Sequence, residues 1–149
     1  MKHPFLVSLI IFLLAACTFN SPDVPATHEP GDPNPPVENP YAPRPGDDAL
    51  MRGEVYLDLA EILIMESYPV QISLHLAGNL PDPCHELRLA VGEPNSENQI
   101  EIETYSLTDP MAICVAMLEP FDINLNLGSF PSGHYTVLVN GEQIGAFDS

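Results

Sequence analysis

From Val70 onward, apolar and polar residues alternate with a period of two, the mark of strands buried on one face. Val70, Ile72, Leu74 and Leu76 alternate with Gln71, Ser73 and His75. Leu87, Leu89 and Val91 alternate with Glu86, Arg88 and Ala90, and Ile100 and Ile102 with Glu101 and Glu103. Phe121, Ile123, Leu125 and Leu127 alternate with Asp122, Asn124 and Asn126. Turn-forming residues separate these runs: Gly78-Asn79, Pro81-Asp82-Pro83, Glu93-Pro94-Asn95, Thr108-Asp109-Pro110 and Ser129 to Gly133. Leu59 to Met65 is apolar enough to suit a helix or a strand.

The last hairpin can be set in register. Asn140-Gly141 is the strongest two-residue turn signal, because both positions need positive φ. Pairing outward from it places Val139 opposite Glu142, Val137 opposite Ile144 and Tyr135 opposite Ala146. Tyr135, Val137, Ile144 and Ala146 then share the core face.

Upstream the pattern changes character. Residues 18–46 carry nine prolines, namely Pro22, Pro25, Pro30, Pro33, Pro35, Pro36, Pro40, Pro43 and Pro45. Apolar residues there are too few to offset the entropy of ordering, so an extended spacer is expected. At about 3.1 Å per residue its greatest reach is roughly 90 Å. Before it, Lys2 and His3 precede an apolar run from Phe5 to Leu14 and the small residues Ala15-Ala16. That run is too short for a transmembrane helix, which needs about 20 residues. Three segments follow: a leader over 1–16, a disordered linker over 17–49 and a folded domain over 50–149.

The stretch Leu14-Ala15-Ala16-Cys17 resembles the lipobox of bacterial lipoproteins. The resemblance implies a diacylglyceryl thioether on Cys17, cleavage before it and acylation of the new amine. Two or three acyl chains hold a protein stably at a membrane, where one does not. The only cofactor-like group expected is this covalent lipid. The implied location is the outer leaflet of the cytoplasmic membrane, or the outer membrane of a two-membrane cell. Thr18 follows the cysteine where an aspartate acts as an inner-membrane retention signal in some bacteria, so the resemblance favours the outer membrane. A short lipidated leader with one terminal β domain also looks like other bacterial lipoproteins.

About eight strands in roughly one hundred residues predict an all-β, antiparallel sandwich. Ser132-Gly133-His134-Tyr135-Thr136-Val137 resembles the penultimate strand of immunoglobulin-like and fibronectin-like domains. By that resemblance Tyr135 hydrogen-bonds back across a corner. The inward tryptophan of antibody domains is missing, since the chain has no tryptophan.

With Cys17 lipidated, Cys84 and Cys114 remain as a pair, and a disulfide is expected in an exported protein. Cys84 shares its parity with Glu86 and Arg88, and Cys114 with Ala112 and Ala116, both away from the presumed core rows. The bridge should therefore tie a loop or sheet edge. A zinc site using Cys84, His85, Cys114 and His134 is the rival, but it lacks closely paired ligands. Calcium could use Asp82, Asp109, Asp122, Asn124 and Asn126, yet no calcium-loop spacing occurs. No metal is assigned.

Net charge is −17 at pH 7, and Lys2 is the only lysine. Loss of the leader leaves three arginines against 21 acids, or −18. This charge repels phosphate backbones and anionic headgroups, which excludes nucleic acid as a partner and charge as the means of membrane attachment. There is no nucleophile elbow, no His-Glu-x-x-His and no phosphate-cradling glycine loop, so no catalytic residue is assigned. The expectation is a membrane-anchored, non-enzymatic interaction module for a protein or glycan ligand. An immunoglobulin-like protease inhibitor and a structural accessory of an envelope complex are the alternatives. Loops between strands are the expected binding surface. Gly78 to His85 comes first, with Asn79, Asp82 and His85 as contact residues.

Overall fold

A computed structural model describes residues 38–149. The lipobox, Cys17 and most of the proline-rich stretch lie outside the described residues. Eight strands form two sheets packed face to face, the all-β sandwich that the alternation predicts. They are β1 (Met51–Gly53), β2 (Tyr56–Met65), β3 (Gln71–Leu80), β4 (Glu86–Val91), β5 (Gln99–Thr108), β6 (Glu119–Gly128), β7 (His134–Val139) and β8 (Glu142–Asp148). One sheet is β2-β3-β6, antiparallel throughout. The ambiguous run Leu59 to Met65 is therefore strand, its backbone groups paired with β3.

In the other sheet β4 pairs with one edge of β5. The opposite edge is shared, with β7 against Gln99–Ile102 and β1 against Ser106–Thr108. The β5–β7 pairing is parallel, which a wholly antiparallel sandwich does not contain. Two strands far apart in sequence can run parallel because the intervening chain crosses to the other sheet and returns.

Between the sheets, Ile72, Leu74, Leu76, Leu89, Ile100, Ile102, Leu125 and Val137 are fully buried. Each occupies the inward parity of its strand. Val91, read as the last member of its row, is instead exposed at the end of β4. Gly78 sits under the β2 bulge between Leu57 and Leu59, where a Cβ would collide with the Tyr56 carbonyl oxygen.

The final hairpin departs from the expected register. Asn140 (φ 50°) and Gly141 (φ 82°) form the turn, and Val139 faces Glu142 as predicted. A bulge then sets Val137 opposite Gly145 and Tyr135 opposite Phe147, with Ala146 exposed. The slip exchanges a methyl group for a phenyl ring in the core, which stabilises by about 1.5–3 kcal/mol. Phe147 stacks on Tyr135 at 5.3 Å between centroids, and Phe130 closes the cluster at 5.2 and 5.3 Å. The Tyr135 hydroxyl donates to the Pro131 carbonyl at 3.0 Å, the corner bond expected of it.

Residues before the expected boundary at 50 also pack on the sandwich. The Leu89 N–H donates to the Tyr41 carbonyl at 2.8 Å, and the Asn39 amide donates to the Leu89 carbonyl at 2.9 Å. Residues 39–41 thus occupy the free edge of β4, and a short 3-10 turn over Asp47–Ala49 follows. From this turn Asp47 covers Arg88, which lies on the outward parity of β4.

Candidate functional site

The connections at one end of the sandwich are the β3–β4 loop (81–85) and the β5–β6 loop (109–118). Cys84 and Cys114 join them by a disulfide, with Cα atoms 6.1 Å apart. The bridge ties two loops and does not cross the core, as their parity implied.

The three residues expected to form a binding loop are not presented together. Asp82 Oδ1 accepts from the Cys84 N–H at 2.9 Å and from His85 Nδ1 at 2.9 Å. The His85 bond holds the Asp82 carboxyl below its ordinary range, helped by the backbone N–H of Cys84. His85 itself lies against Gly53, its Nε2 3.2 Å from where a Cβ on that glycine would stand. Asp82 and His85 therefore shape the loop from within. Asn79 belongs to β3 and donates to Asp58 Oδ2 at 3.0 Å on the outer face of the other sheet.

What this end presents to solvent is the other loop. Met111-Ala112-Ile113-Cys114-Val115-Ala116-Met117-Leu118 contains no hydrogen-bonding side chain besides the bridged cysteine. Its shape is set by Asp109, whose Oδ1 accepts from the Met111 N–H at 2.8 Å and whose carbonyl accepts from Ala112 at 2.9 Å. Cys114 is held half-buried by the bridge, and the residues on both sides of it are exposed. Ile113 is 99% exposed and Met111 83%, and Val115, Met117 and Leu118 are more than half exposed. The loop must cross from β5 in one sheet to β6 in the other, and among the described residues no third sheet covers it.

Residues 74–149 match the family model of the ORF11 beta-sandwich domain. The chain belongs to that family. The matched stretch of the ORF11 beta-sandwich domain runs from Leu74 in β3 to the last residue, and includes both bridged cysteines and the apolar loop. The chain is also similar to a protein of Herpetosiphon aurantiacus named "Uncharacterized 10.2 kDa protein in HgiCIIM 5'region". The two are 31% identical over 88 residues, which is 56% of this chain and 89% of that protein. No solved structure matches the chain.

Within this ORF11 beta-sandwich domain the donors considered for metals are scattered. A carboxylate oxygen of Asp82 lies within 4.8 Å of both bridged sulfurs, but a disulfide offers no thiolate to an ion. His134 begins β7, beside the opposite end of β5, and bonds Asp148 at 2.8 Å. Asp122 bonds His75, Asn126 Oδ1 accepts from the Gly128 N–H, and Asp109 serves its own turn.

On the outer face of the β2-β3-β6 sheet, His75 is held between two acids. Nδ1 lies 3.0 Å from Glu61 Oε1 and Nε2 lies 3.0 Å from Asp122 Oδ1. Glu61 most, then Asp122, raises the pKa of the imidazole. An open cleft of about 820 Å³ beside β5 is lined by Arg52, Glu101, Glu103, Thr104, Tyr105 and Asn140, among others. Arg52 is already engaged there by Glu103, and its guanidinium carbon sits 3.7 Å from the Tyr105 ring centroid.

The expected binding loop lies on the β3–β4 side of the disulfide, whereas the exposed apolar side chains lie on its β5–β6 side. The signal was available in residues 109–120. Prolines at 110 and 120 bracket an apolar run whose cysteine pairs with one in a proline-flanked turn.

Proposed function

We propose that this protein is an exported, lipid-anchored envelope protein whose sandwich domain is a non-enzymatic binding module. The observation that carries the reading is the apolar loop Met111–Leu118, held out from the domain by Cys84–Cys114. Exposed apolar side chains gathered in one place favour contact with a partner surface. A bridge at the centre of the loop limits the conformations that binding must freeze out. The lipobox-like Leu14-Ala15-Ala16-Cys17 supports the anchor, and the disulfide fits an oxidising compartment. The Tyr135–Pro131 hydrogen bond supports an immunoglobulin-like relationship.

Two measurements test the reading. Mass spectrometry of the native protein is expected to find an N-terminal Cys17 bearing diacylglycerol, and an unmodified Cys17 removes the anchor. Affinity capture from detergent extracts is expected to retain a protein or glycan on the wild type that Ile113→Asp loses. Equal capture by both removes the loop as the binding surface. A bridged, exposed loop also suits a protease inhibitor, so a protease panel belongs beside the capture. Inhibition abolished by Ile113→Asp would specify the partner as a protease.

A further inference from the structure

This inference rests on the loop being a binding surface, and concerns the chemistry of what it takes. We propose that Met111–Leu118 receives a cationic amphipathic polypeptide segment, whose apolar face covers the loop while its lysines or arginines meet the surrounding carboxylates.

The loop offers a partner no polar side chain, so contact there is apolar. Its surroundings are acidic. Asp109 and Glu119 flank it, and Asp58 is exposed near the start of β2, which pairs with the end of β3 that enters the bridged loop. Among the described residues every arginine is already engaged. Arg88 is buried on Asp47 and Glu86, Arg52 is paired with Glu103, and Arg44 lies 4.0 Å from Glu86. The chain as a whole carries −17. An apolar centre with an acidic rim selects a partner with the opposite rim.

The same charge argues against the other occupants. A second copy would bring an identical acidic rim against the first, and like-charge juxtaposition weakens such a pair. Anionic headgroups are repelled, and the loop has none of the Trp, Tyr, Lys or Arg that anchor a segment at a membrane interface.

The chain has no tryptophan, so Ile113→Trp places a single indole, excited selectively over tyrosine, at a fully exposed position. The full-length protein carrying it, reconstituted in zwitterionic vesicles, is expected to emit as a solvent-exposed indole. Adding a synthetic leucine-lysine amphipathic helix should shift emission to the blue, and added salt should reverse the shift. A leucine-glutamine helix of the same length should bind at least about tenfold more weakly, a difference of roughly 1.4 kcal/mol. Ile113→Ser with Val115→Ser changes no charge and should weaken the leucine-lysine helix by about tenfold or more. Circular dichroism checks that these variants remain folded.

Emission already blue-shifted in vesicles would assign the loop to lipid, and a concentration-dependent shift in detergent would assign it to a second copy. Either overturns the proposal. If both helices bind alike and both need Ile113 and Val115, the binding surface stands and the cationic requirement falls. If neither helix responds to those residues, both fall.

Discussion

The side chain of Asn140 takes the place of a strand residue beside Thr104. The Thr104 N–H donates to Asn140 Oδ1 at 2.7 Å, and Asn140 Nδ2 donates to Thr104 Oγ1 at 2.7 Å and to its carbonyl at 3.3 Å. The Asn140 N–H donates to the Ile102 carbonyl at 2.9 Å. β7 leaves the edge of β5 at Ile102 and β1 joins it at Ser106, so the amide fills the interval between them. Buried main-chain groups there would otherwise lack partners. Asn140→Gly keeps the positive φ and removes the side-chain bonds, so it should destabilise by about 1–2 kcal/mol in denaturant unfolding. Asn140→Ala should cost about 1–2 kcal/mol more, because alanine resists the left-handed conformation.

Arg88 depends on a carboxylate from the segment before β1. Its Nε and Nη2 donate to Asp47 at 2.9 and 3.1 Å, and Nη2 also donates to Glu86 at 3.0 Å. Arg88, then the Arg44 N–H, holds the Asp47 carboxyl below its ordinary range. Its folded form therefore releases its proton more readily than the unfolded chain. The resulting stabilisation is complete above about pH 4 and is lost as pH falls through the lower folded value. Asp47→Asn should lower the melting temperature by several degrees at neutral pH. The gap between variant and wild type should close in acid.

His75 runs in the opposite direction. Clamped by Glu61 and Asp122, its folded pKa lies above the ordinary 6.5, so the folded state holds the proton more tightly. That stabilisation is complete below the unfolded pKa and disappears as pH rises through the raised value. Thermal melts from about pH 5 to about pH 9 should show a declining contribution that His75→Gln lacks. NMR titration of the imidazole should place its midpoint above that of a free histidine.

The bridge closes a separation of 30 residues. On the chain-entropy account, replacing Cys84 and Cys114 by serine should destabilise by roughly 3–4 kcal/mol. Cleavage within the apolar loop by an added protease should accelerate at the same time, read by the masses of the fragments. A loop cut no faster in the variant would show that Asp109 and the strand ends suffice to hold it.

The elements that were legible are those where one chemical pattern serves one purpose. Ile72, Leu74 and Leu76 had to share a face because successive strand residues point oppositely, and all three are buried. Asn140-Gly141 had to be a turn because few other pairs adopt two positive φ angles, and both do. Among the candidate site residues, the Cys84–Cys114 pairing and its place outside the core followed from number and parity. The register beyond the turn did not follow, since alternation alone does not reveal an inserted residue at Ile144. Only packing against Tyr135 and Phe130 selects Phe147 over Ala146.

The sequence by itself determined which residues alternate, where the chain turns, which cysteines pair and that the charge is strongly negative. Those properties reside in local stereochemistry and in counts. The tertiary structure alone decided which rows are covered. Arg88 is buried because Asp47 and its neighbours lie over an outward position, and Ile113 is exposed because none of the described residues lies over an apolar one. A period of two says which side chains share a face. What that face meets depends on chain far away in sequence.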